Sequence, residues 1–298
     1  YPNGMSFGGT NSMVSIYSYS VFTPQTIDYV GLEWTSQGGN MLNIANTGSV
    51  TVTATNCILH NNTATLFQFA TGNHTLSLSG SQIYGNGATT KNGGVANFAS
   101  GTSPGNQTIS ATNTSFYENK GANGAVFYLE SSGVGQNVEL LNCTFLNNVA
   151  SGNGSVCLSS SSTIPTQLTL TQVNCTGNSA QYGGVVYTNL GGSSQMMMDR
   201  VTASNNHAVS NGGFANLQVK SSGIQAVTVS DSSFDSNSAT GSGGAFALSS
   251  SSTQKQSIAM TRCNMTGNSG TNGGAIWLAN MAIGTTGSIT LSNCQVIG

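Results

Sequence analysis

Short alternations of apolar and small polar residues recur along the chain. Apolar pairs two residues apart fall at Ile27 and Tyr29, Val52 and Ala54, Leu76 and Leu78, Ile109 and Ala111, and Val138 and Leu140. They continue at Leu168 and Leu170, Met196 and Met198, Val227 and Val229, Ile258 and Met260, and Ile289 and Leu291. The residue between is mostly Ser or Thr, as at Thr169 and Thr228. A period of two is that of a strand with one buried face. Seven residues after each start stands another inward position: Trp34, Leu59, Ile83, Phe116, Phe145, Cys175, Ala203, Phe234, Met265 and Val296. A glycine pair then opens a third apolar run, at Gly38-Gly39, Gly93-Gly94, Gly183-Gly184, Gly212-Gly213, Gly243-Gly244 and Gly273-Gly274, with Gly124-Ala125 and Gly154-Ser155 as single-glycine versions. Three short strands per unit are predicted, and no helix.

Between the second and third strands an asparagine recurs at one offset: Asn62, Asn86, Asn119, Asn148, Asn178, Asn206, Asn237 and Asn268. Gln37 takes the place in the first repeat. The gaps are 24, 33, 29, 30, 28, 31 and 31 residues. Units of this length suit the coils of a solenoid. The expected fold is all-β: one right-handed parallel β-helix over 1–298, of about ten coils, with partial coils at 1–26 and 288–298. Equivalent strands then stack about 4.8 Å apart, and the asparagines form a ladder in which each amide bonds its neighbours. Loops rich in Gly, Ser and Asn around 100–106, 131–137, 159–167, 191–195 and 249–257 are expected on one variable side. The segment 288–298 and the opening run through Met13 to Tyr19 complement each other as parts of one coil, so head-to-tail stacking of copies is a further expectation.

Composition narrows the partners. Only 14 of 298 side chains are charged, and the net charge is −2. That surface cannot neutralise a phosphate backbone, so nucleic acid is excluded as a partner. No apolar span of 18 residues or more is present, so membrane insertion by a helix is not expected. The chain opens on Tyr1, which reads as a processed product or a segment of something longer. Eight N-x-[Ser/Thr] sequons, at Asn61, Asn73, Asn106, Asn113, Asn142, Asn153, Asn174 and Asn264, are candidate acceptors of covalent glycans.

The pairing of F-x-x-N with a following G-G-A-[Ile/Val/Leu] resembles the repeats of the chlamydial polymorphic outer membrane proteins. Phe116 to Asn119 and Phe145 to Asn148 match the first half. Phe234 to Asn237 with Gly243-Gly244-Ala245-Phe246 approximates the whole motif, and Gly273-Gly274-Ala275-Ile276 matches the second half. The resemblance implies a surface-exposed right-handed β-helix, often adhesive, carried by an outer-membrane barrel. No late series of long alternating strands ending in an aromatic, the mark of such a barrel, is present in the 298 residues.

Six cysteines occur, and Cys57, Cys143, Cys263 and Cys294 all lie five residues after a repeat start. Cys263 and Cys294 share a station in adjacent coils, within disulfide reach, so a bridge between them is expected. Cys143, Cys157 and Cys175 are close enough for one more. No Cys/His spacing suggests a metal site or a cofactor. Asp199, Arg200, Asp231 and Asp235 form the one acidic patch fit for a polysaccharide-active enzyme. His60, His74 and His207 lack a triad partner at recognisable spacing. Asp28, Glu139 and Met197 interrupt the outward Thr rows that ice binding would require. The expected function is therefore a secreted, glycosylated, non-enzymatic subunit of a head-to-tail fibre or cell-surface layer. A surface adhesin is the alternative, and a polysaccharide lyase or hydrolase the third reading.

Overall fold

The alternating runs and the glycine-opened runs build separate sheets. A computed structural model describes residues 14–16, 25–35, 38–45, 48–70, 72–98, 105–131, 135–161, 166–219, 223–250, 255–280 and 287–298. Three sheets hold ten parallel strands each and a fourth holds five. The first sheet runs from Val14–Ile16 to Ile276–Asn280, the second from Gln25–Val30 to Gly287–Ser292, and the third from Glu33–Thr35 to Gln295–Ile297. The fourth, of two-residue strands from Lys120–Gly121 to Ser238–Ala239, was not expected from the sequence. Each strand pairs with its equivalent one repeat away, so the chain winds as a parallel β-helix.

The number of coils differs from the ten expected. About seven turns make up the solenoid, although three of its sheets hold ten strands each. The partial coil expected over 1–26 lies largely outside the described residues, as do Gln37, Met13, the run 17–24 and parts of four of the five loops. The segment 288–298 pairs in register with the strands Gln256–Thr261 and Asn264–Thr266.

Register follows the hydrophobic pattern. The ten repeat starts from Ile27 to Ile289 align along the second sheet. The positions from Trp34 to Val296 align along the third. A slip of one residue would turn each apolar set to solvent, so burial fixes the pairing. Inside, Phe116 and Phe145 stack with ring centroids 4.8 Å apart, and Phe127 meets Phe116 edge-on at 5.3 Å. Where the third sheet supplies only Cys175 and Ala203, Phe214 enters from the glycine-opened side, edge-on to Phe234 at 5.1 Å and to Phe246 at 5.5 Å.

The asparagine column is buried throughout. The Asn119 main-chain N–H and its Nδ2 both donate to Asn148 Oδ1 at 3.0 Å, while Nδ2 also donates to the Ile83 carbonyl at 3.0 Å. The same three bonds recur at Asn86, Asn148, Asn178, Asn206 and Asn237. Each interior amide thus spends both hydrogens and both lone-pair directions on adjacent rungs. The residue before each ladder asparagine, from Asn61 to Gly267, is left-handed with φ of 53–65°, which makes the sharp turn that points the amide inward.

A second polar column opens the strands of the second sheet. Gln107, Gln136, Thr166, Ser194, Gln225 and Gln256 are all buried there. Gln136 Nε2 donates to Gln107 Oε1 at 3.1 Å and Gln256 Nε2 to Gln225 Oε1 at 2.9 Å, with the shorter Thr166 and Ser194 between. The glycine pairs have two distinct causes. Gly212 is left-handed, at φ 70°, where a side chain is strained. Gly213 is excluded by packing: a Cβ there would lie 2.1 Å from the Gly244 carbonyl oxygen of the next rung.

Two measurements check this account. Asn148→Ala removes the shared acceptor of the Asn119 N–H and Nδ2 and the amide donor to the Phe116 carbonyl, so denaturant melts should show a loss of about 2–5 kcal/mol. Gly213→Ala should cost about 3 kcal/mol or more or prevent folding, whereas Gly267→Asn, in a left-handed column that already holds Asn61, Asn147 and Asn205, should change stability by less than about 1 kcal/mol.

Candidate functional surface

The outer surface is assembled from columns, one residue per rung. At the corner between the second and third sheets every residue from Gly31 to Asn293 is left-handed, including Asn56, Asn113, Asn142, Gln172, Arg200, Asp231 and Arg262. Asparagine tolerates this conformation better than most side chains, which is why two sequons fall here. Asn113 and Asn142 are both exposed, and Asn142 Nδ2 donates to Asn113 Oδ1 at 2.7 Å. Asn61 occupies the other left-handed column, beside the ladder. Asn174 and Asn264 project from the third sheet, and Asn73 and Asn106 from the turn that enters the second, where the Asn106 N–H donates to Asn73 Oδ1 at 2.6 Å. These seven are exposed. Asn153 differs: it is half-buried, its N–H donates to Asn123 Oδ1 at 3.0 Å, and the hydroxyl of its sequon partner Ser155 is buried and donates to the Gly184 carbonyl. A glycan at Asn153 must therefore be attached before folding.

The cysteines correct an expectation. Cys263 and Cys294 do occupy one station in adjacent rungs, but both are free thiols, as are the other four. Each Sγ turns to backbone carbonyls: Cys263 to Val229 and Thr261, and Cys294 to Met260 and Ser292. Ser81, Thr114 and Ser232 place hydroxyls at the same station and bond the equivalent carbonyls. The Cys57 N–H donates to Ser81 Oγ and the Val201 N–H to Ser232 Oγ, while the Cys263 N–H meets Cys294 Sγ at 3.4 Å. Seven of the ten residues at this station are short hydrogen-bonding side chains in which thiol substitutes for hydroxyl, and Leu32, Val173 and Val201 fill the rest. Cys143, Cys157 and Cys175 are likewise unbridged.

Two of the three acids of the acidic patch, Asp231 and Asp199, are paired with arginines. Arg262 clasps Asp231 through Nε and Nη2, both at 2.6 Å, and Arg200 pairs with Asp199 at 2.8 Å. The Arg262 guanidinium holds the Asp231 carboxyl below its ordinary pKa, so Asp231 is poorly suited to act as an acid. His60 lies 3.2 Å from Glu33, and His207 Nδ1 is 2.9 Å from Ser238 Oγ. His74 is buried against Phe69. Among the described residues no three His, Cys, Asp or Glu side chains are placed to hold a metal ion. No helix among them is long and apolar enough to cross a membrane, which says nothing of a β-barrel.

One feature escaped the sequence reading. The last outward position of the third sheet carries His60, Tyr84, Tyr117 and Leu146 in consecutive rungs. The signal was available, one residue beyond each of Leu59, Ile83, Phe116 and Phe145, once register was known.

No family model, no curated protein and no solved structure matches the chain.

Burial raises the thiol pKa of Cys143 to about 11 and that of Cys157 to about 12, and pushes Cys175 up as well. Thiolate is the reactive form. Alkylation of the native protein at pH 8, read by peptide mass spectrometry, should therefore label the partly exposed Cys294 first and spare Cys157 and Cys175. A raised folded-state pKa favours the native state below the unfolded thiol value and loses that contribution as pH climbs through the folded values. Thermal stability should hold from neutral pH to about 9 and decline above it.

Proposed function

We propose that the chain is a structural solenoid of an extracellular surface, a glycosylated element of a fibre or surface layer. The observation that carries this reading is the pairing of a rigid, amide-clasped interior with an outer face that is almost uncharged and displays seven exposed sequon asparagines spread over several columns. Attached sugars would give such a face its solubility, which charge supplies in most proteins. The likeness of the repeat to the chlamydial polymorphic outer membrane proteins points to the same setting. The engagement of Asp231 by Arg262 and of Asp199 by Arg200 favours a structural role over glycoside chemistry, which needs free carboxyls of opposed protonation.

Assembly with other copies is part of the proposal. On the outermost described strands Ile289, Leu291, Val296 and Ile297 are 43–51% exposed. A further rung, from the same chain or from another copy, would cover them in the same register. Adhesion is the second reading, favoured by the outward aromatic column.

The test is made on protein secreted by a glycosylating host. Intact mass before and after enzymatic removal of N-glycans should fall by several glycan units, and electron microscopy should show rods stacked end to end or a lattice. An unglycosylated chain found only as short single rods overturns the reading.

A further inference from the structure

We infer that the outward column His60, Tyr84 and Tyr117 is a binding platform for a neutral polysaccharide strand lying along the helix axis. The inference deepens the surface role just proposed, from which it takes only the presence of extracellular sugars.

The column is organised as a stack. Tyr84 and Tyr117 are parallel within 6°, with centroids 4.5 Å apart, and His60 lies on Tyr84 at 4.9 Å and 16°. Rings in contact are separated by about 3.5 Å, so centroids at this distance must be offset by about 3 Å. The rings therefore overlap like roof tiles rather than eclipsing one another. All three side chains are partly exposed. The C–H face of a pyranose matches such a surface, and its hydroxyl rim needs hydrogen-bonding groups alongside. The neighbouring outward column of the same strands supplies them in Gln82 and Ser115, paired in register, while the exposed Ile58 beside His60 adds apolar contact. On the opposite side Gly85 lacks a side chain, and the Asn61 amide sits over that position, held to His60 Nδ1 at 3.0 Å.

Charge selects the class of sugar. Glu33 is 3.2 Å from His60, and Glu118 follows Tyr117 on the exposed corner. Like charges repel an acidic polysaccharide, and no lysine or arginine belongs to these columns in the rungs of the stack. Tyrosines supply large contact area at low conformational cost, and successive rungs repeat the platform at the strand spacing, as a linear polymer requires.

Protein made in a bacterial host, so that Asn61 carries no glycan, should be titrated calorimetrically with cellohexaose, mannohexaose and hexagalacturonate. At least one neutral hexasaccharide should bind, and the acidic one should bind about tenfold more weakly or not at all. The Tyr84→Ala, Tyr117→Ala double variant should lose about tenfold or more in affinity, whereas Tyr84→Phe with Tyr117→Phe, which keeps the rings, should stay within about threefold. Ring-proton shifts of wild type should move at His60, Tyr84 and Tyr117, a readout independent of whether the alanine variant folds. Absence of binding by both neutral probes at about 10 mM, equal binding by a folded alanine variant, or shifts confined to other residues would overturn the inference. The glycan mass and electron microscopy tests stand apart from this outcome, so failure here leaves the structural reading to be judged on its own.

Discussion

A carboxamide has two donors and an acceptor with two lone pairs, and at the interior positions of the asparagine ladder every one of them is spent between rungs. The Asn148 side chain donates to Asn178 and to the Phe116 carbonyl, and accepts from Asn119 twice. A buried polar group in apolar surroundings is tolerated only when so satisfied. The ladder therefore does more than decorate a turn. Its amides can be satisfied only if each rung sits directly over the last, so the need for partners enforces the stacking that brings the sheets into register. The glutamine column and the Ser/Thr/Cys corner repeat the logic on other faces of the coil.

Much of this was legible in the sequence, for a physical reason. Inward positions alternate with a period of two, and a solenoid repeats them without crossing chains, so Ile27 to Ile289 and Trp34 to Val296 fall into columns from the residue pattern alone. The asparagine offset was equally plain because a short side chain with two donors and an acceptor recurs there in every full repeat after the first. The fourth sheet was not legible: strands of two residues, such as Val149–Ala150 and Ser179–Ala180, are too short to show a period. The glutamine column was hidden because Val50, His74, Thr166 and Ser194 share its station.

The cysteines and the surface show the other limit. Sequence spacing placed Cys263 and Cys294 correctly in adjacent rungs, but proximity of Cα atoms does not decide where sulfur points. At that corner the backbone presents carbonyls from two directions, and a thiol satisfies them as a hydroxyl does. The stack of His60, Tyr84 and Tyr117 was likewise present in the sequence but carried no hydrophobic period, since outward positions are read as filler until register aligns them. The sequons are explicit in the residue order, yet only the fold separates the seven exposed asparagines from Asn153, whose partner Ser155 is enclosed.

The uneven filling of the rungs has a mechanical consequence. Tension applied along the axis passes through the rungs in series, so the least reinforced one sets the yield force. Between Phe145 and Phe234 the third sheet contributes only Cys175 and Ala203, and over the same stretch the glutamine column is reduced to Thr166 and Ser194. A rod of this protein under load would part there, leaving the aromatic-packed portions on either side as intact pieces.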